Sequence, residues 1–156
     1  MNIAAQNHFH DFTEIEQLVV GFESCTIEPA KFDHNAHLLV ALWYLFQLPA
    51  PAACARMRAS LRRFTSHHQS QGYNETLTLF WLKLVRHSLG HEQASRSLTE
   101  HAHELLTTYA DSHFVYKYYS RERIHSPEAK HSWVEPDLKP LDFYSGLRLR
   151  VAADWE

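Results

Sequence analysis

His34 and His37, three residues apart in Phe32-Asp33-His34-Asn35-Ala36-His37-Leu38, are the side chains of this sequence best placed to do chemistry. They open its most apolar stretch. On a helix, positions three and four apart share a face, so His34 aligns with Leu38, Ala41 or Leu42, and Leu45, while His37 aligns with Ala41, Tyr44 and Leu48. Both imidazoles therefore fall on or beside the buried stripe, in the first turn after Asp33. The partial positive charge of a helix N-terminus disfavours imidazolium there. Neutral imidazole is the form that binds a metal or accepts a proton. The plainer alternative is that one or both rings hydrogen-bond to a backbone carbonyl or a buried carboxylate, which is the commoner fate of an isolated HxxH spacing.

A carboxylate stands ready to complete a set. Glu75, in Gly72-Tyr73-Asn74-Glu75-Thr76-Leu77-Thr78, heads a face that continues through Leu79, Leu82 and Val85 or Arg86, which predicts that it points inward. A buried carboxylate needs a partner. His34, His37 and Glu75 together would form a His-His-Glu metal site with open positions, suited to hydrolysis at zinc or to non-haem iron chemistry. Metal-free acid–base catalysis by Glu75 and Tyr73 is the other chemical use of the set. Taken alone, Glu75 reads as a solvated acidic residue favoured by the helix dipole.

Other candidates are weaker. Glu100-x-x-His103 has the spacing used in di-iron bundles, but such a centre takes two ExxH units together with two further carboxylates. In Tyr116-Lys117-Tyr118-Tyr119-Ser120-Arg121-Glu122-Arg123, aromatic and basic residues interleave. There Tyr119 is a candidate ligand-binding hydrogen-bond donor and Arg121 an anion anchor, against the bland reading of core on one side and snorkelling charge on the other. No glycine-rich phosphate loop, nucleophile elbow or HExxH motif occurs.

The elements that must position these residues are helices. A first is expected from about Asp11 to Glu23, with Ile15, Leu18, Val19 and Phe22 as its apolar stripe. A connection broken by Pro29 leads to a second, capped by Asp33 and ending near Gln47. Pro51 suits the first turn of a third, whose wetter side carries Arg56, Arg58, Arg62 and Arg63. The fourth, from near Asn74 to Gly90, is apolar nearly all round and is expected at the centre. A polar fifth is expected from about Glu92 to Tyr109. Ser126-Pro127 marks a further start. From Val134 the chain turns irregular, and Leu147 to Val151 reads as a packed tail or a strand pairing with another chain.

The expected architecture is thus all-α, one domain over residues 1–156, a compact bundle of about six helices with an irregular tail from 134. With 156 residues, 45% of them hydrophobic and 21% charged, the chain can bury one substantial core. A net charge of −3 argues against a general nucleic-acid binder. The thirteen histidines prompt a search for metal chemistry, though His67, His68, His87, His91 and His101 fall in polar surroundings and are expected to be solvated. Cys25 and Cys54 form no metal-ligand spacing and read as reduced packing residues of a cytoplasmic protein. Met1 to Asp11 lacks a secretory pattern, and Leu38 to Phe46 is too short to span a bilayer.

Phe32-x-His34-x-x-His37-Leu38-x-x-Ala41, Tyr73-x-Glu75-Thr76-x-Thr78-x-x-Trp81, Tyr118-Tyr119-Ser120 and Glu135-Pro136-Asp137-Leu138 together resemble a family of small uncharacterised bacterial all-helical proteins. The resemblance spans roughly Phe32 to Leu141 and implies a shared site around His34, His37, Tyr73 and Glu75. In that family's pattern the position of Asn74 is often histidine. The functional expectation is a metal-dependent (zinc or iron) or acid–base enzyme acting on a small molecule. A non-catalytic module, binding a ligand or contacting a protein partner or a second copy through its tail, is the alternative.

Overall fold

Among the described residues of the computed structural model, six of the seven α-helices begin on a side-chain cap, and the caps explain where the helices start. The structure describes residues 11–70, 72–90 and 94–144. Asp11 accepts from the Glu14 N–H at 2.8 Å and starts α1, Phe12–Glu23. Asp33 accepts from Ala36 N–H at 2.9 Å and starts α2, His34–Gln47. α3, Ala50–His67, is the exception and relies on proline in its first turn. Asn74 caps α4, Glu75–Leu89, which stops at Gly90, whose φ of +53° suits a residue without Cβ. Ser97, Ser120 and Ser126 cap α5 (Leu98–Tyr109), α6 (Arg121–Ile124) and α7 (Pro127–His131). Each such cap contributes about 1 kcal/mol by satisfying an otherwise orphaned N–H.

No strand occurs among the described residues, and the helices pack into an all-α bundle. Its centre is shared. α4 packs on α2, α3, α5 and α7, as its apolar sequence predicts, but α2 is equally enclosed by α1, α3, α4 and α5. Eight of the fourteen α2 residues are buried, from Ala36 to Leu45, on every side of the helix. Aromatic rings join the helices: Phe22 stacks on Phe32 at 4.3 Å between centroids, and Phe64 closes on both.

One boundary differs from expectation. α5 starts at Leu98, not near Glu92, because Ser97 supplies the cap and residues 94–97 form a turn and bend before it. The aromatic segment after α5 is a 3-10 helix, Ser112–Lys117. The irregular stretch after Val134 is tied to the bundle through backbone acceptors and caps. Tyr119 donates to the Val134 carbonyl at 2.7 Å, and Asp137 receives both the Ser120 N–H and its hydroxyl. Leu147 to Val151 lies outside the described residues. No helix among those described is long and apolar enough to cross a membrane.

Candidate functional site

α2, α3 and α4 surround a cavity of about 440 Å³. Its walls are mostly apolar and aromatic: Phe32, Ala41, Met57, Leu61, Phe64, Leu77, Trp81 and Leu82. Three imidazoles join them, those of His34, His37 and His68, with Tyr73 and Asn74 at the start of α4. Pockets of this size and composition, with few polar groups, are the usual form of a small-molecule site.

The two histidines of α2 have different surroundings. His34 Nε2 lies 2.9 Å from the Tyr109 carbonyl, which can only accept, so this nitrogen carries the proton and donates. Tyr109 ends α5, where the last carbonyls have no partner within the helix, so His34 fastens the start of α2 to the end of α5. Its ring also meets Trp81 edge-on at 4.5 Å.

His37 makes no hydrogen bond through its ring among the described residues. It rests against Phe32 at 4.2 Å. Burial, reinforced by the neighbouring His34 and opposed by Asp33, pushes its pKa down from 6.5 to about 4. The ring is therefore neutral at physiological pH, as the helix start also favours.

Glu75 is buried, as its position on the helix face predicts, but it turns to α3 instead of the histidines. Arg58 Nε donates to both carboxylate oxygens at 2.9 Å, and the Tyr73 hydroxyl donates to Oε1 at 2.6 Å. The carboxylate lies outside the cavity wall. The reason is local: Asn74 fixes the first turn of α4, and the guanidinium available across the α3–α4 interface takes the buried charge. The expected His-His-Glu set is thus not assembled. Among the described residues no group of three or more His, Cys, Asp or Glu side chains gathers so as to hold a metal. The donors among the described residues do not fit zinc or non-haem iron, and the expected catalytic pair Glu75 and Tyr73 meet in a part-buried hydrogen bond beside Arg58. Tyr73 is held protonated by burial and by Glu75, with Arg62 over its ring at 4.9 Å.

Tyr119 and Arg121 do not reach the cavity. Tyr119 is fully buried and spent on Val134, while Arg121 lies over the Tyr116 ring at 4.1 Å on the surface. Glu100 and His103 are both exposed on α5. The α3 arginines are not merely a solvated face: Arg56 pairs with Glu23, Arg63 donates to the Glu23 carbonyl, and Arg58 and Arg62 serve Glu75 and Tyr73.

His68 is the site residue that sequence reasoning missed. It follows α3 directly, lines the cavity, and its Nε2 is buried without a hydrogen-bond partner. The signal was the phase of α3, since Met57, Leu61 and Phe64 set a buried stripe on which residue 68 falls four beyond Phe64. His101, expected in solvent, is likewise buried, against Phe46, with an unpartnered Nε2.

No protein family model, curated protein or solved structure matches the chain. The site therefore rests on its own geometry.

Proposed function

We propose that this protein binds a small, largely apolar molecule in the cavity between α2, α3 and α4, with His37 as the polar group that orients it. The observation that carries the reading is a neutral imidazole with no protein hydrogen bond facing 440 Å³ of aromatic-walled space. An unpaired polar group in a protein interior is a cost to stability, and a ligand is one reason for a chain to carry it.

The pKa decides between binding and acid–base catalysis. A proton acceptor works best when its pKa lies near the working pH. At about 4, His37 is three units too weak a base for efficient proton abstraction at neutral pH, yet it remains a good hydrogen-bond acceptor. Binding is favoured over chemistry. The buried free thiols of Cys25 and Cys54 fit a reducing, cytoplasmic setting for this role.

The test is a titration of the labelled protein with small aromatic fragments, followed by NMR. Saturable shifts are expected at His37, the Met57 methyl and the Trp81 indole. Ala41→Leu, which places three more carbons in the cavity, should abolish them while circular dichroism reports an unchanged helical fold. Shifts that avoid the cavity, or binding that survives a folded Ala41→Leu, would overturn the proposal.

A further inference from the structure

We infer that the cavity selects an uncharged ring compound with a polar group that hydrogen-bonds an imidazole, such as a phenol or an N–H heteroaromatic, over carboxylates and ammonium compounds. This rests on the cavity being a ligand site and says what kind of ligand it takes.

The shape argument comes first. Phe32, Phe64 and Trp81 give the cavity flat aromatic walls, and a space of about 440 Å³ is roomy beside the ~150 Å³ that holds a benzene molecule in an apolar protein interior. One or two fused rings fit.

Hydrogen-bond accounting gives the polarity. The wall's side-chain donors are mostly committed to the protein. Thr65 donates to the Arg62 carbonyl, Tyr73 to Glu75, Thr78 to the Asn74 carbonyl, and Asn74 Nδ2 to the Ile124 carbonyl. His34 spends its N–H on Tyr109. Ser70, whose side chain is exposed, is the remaining hydroxyl. What is left on the wall is the imidazole of His37, His68 Nε2 and the indole N–H of Trp81. Each neutral imidazole offers one N–H donor and one acceptor nitrogen, so the unspent capacity suits a ligand whose hydroxyl or ring N–H can bond with either.

Charge excludes the ions. The cavity wall contains no lysine or arginine, and the nearby Arg58 and Arg62 are occupied by Glu75 and Tyr73. A carboxylate would enter this space unpaired or force a proton onto an imidazole that burial keeps neutral. An ammonium would find only Asp33, which is exposed and already caps α2.

The experiment compares toluene, phenol, indole, benzoate and benzylamine on the intact protein at pH 7.5, read by the same NMR shifts. Phenol should bind about tenfold more tightly than toluene, the worth of one buried hydrogen bond. Benzoate and benzylamine should bind less well than phenol. In His37→Phe the advantage of phenol over toluene should vanish. Independently of that variant, phenol should shift the unprotonated ring nitrogen of His37 in the parent. Equal binding of toluene and phenol, or benzoate or benzylamine matching phenol, would overturn the inference while leaving the cavity as a ligand site. If no member binds, toluene included, the ligand-site reading falls with it.

Discussion

A buried imidazole nitrogen without a partner costs about 1–3 kcal/mol; His68 Nε2 carries that cost, while His34 is bonded to Tyr109 and half-buried His37 faces the cavity without a ring hydrogen bond. This separates two residues that the sequence presents as a pair. The helix phase correctly placed both rings inward, but residue type and spacing carry no information on which ring finds a carbonyl. That depended on where α5 ends, seventy-five residues further on. The lowered pKa of His37 gives a pH prediction with a definite sign. Between pH 6.5 and about 4 the unfolded chain takes up a proton at residue 37 that the folded chain refuses. Stability is therefore full above pH 6.5 and falls as pH drops through that window, by up to about 3 kcal/mol. Urea unfolding at pH 7.5, 5.5 and 4.5 should show this loss in the parent and a shallower slope in His37→Phe. Identical slopes would show that His37 is not held neutral by the fold.

At the scale of the helices, the start of α4 is where the sequence said most and least. Its start near Asn74 was legible, because an apolar run follows. The Asn74 side chain also reaches across to the Ile124 carbonyl at 2.7 Å, a contact fifty residues apart with no local signature. Asn74→Ala should lose both bonds and about 2–4 kcal/mol in thermal or urea unfolding, while Asn74→Ser, which keeps a cap, should lose about half as much. Glu75 was read correctly as buried and wrongly as facing the histidines, since Arg58 lies on a helix judged by its own polar face alone. Glu75→Gln leaves Arg58 without its counter-charge and should destabilise the protein by about 3 kcal/mol, yet leave fragment binding intact. Loss of binding in a variant that stays folded would return Glu75 to the site.

For the molecule as a whole, the all-helical class, the order of the elements and most of their starts follow from caps, prolines and apolar periodicity. Packing partners do not, because they depend on how stripes of comparable hydrophobicity choose among one another. α4 was expected alone at the centre, whereas α2 and α4 hold it together and the cavity opens between them and α3. The imidazoles on that cavity make the fold test itself. Packing residues should cost stability when replaced by an apolar ring, and residues kept for a ligand should not. Urea unfolding of the parent, His34→Phe and His37→Phe at pH 7.5 measures the difference. His34→Phe is expected to lose about 1–3 kcal/mol with its bond to Tyr109, and His37→Phe to match or exceed the parent. A loss of about 2 kcal/mol or more in His37→Phe, with His34→Phe unchanged, would contradict the account.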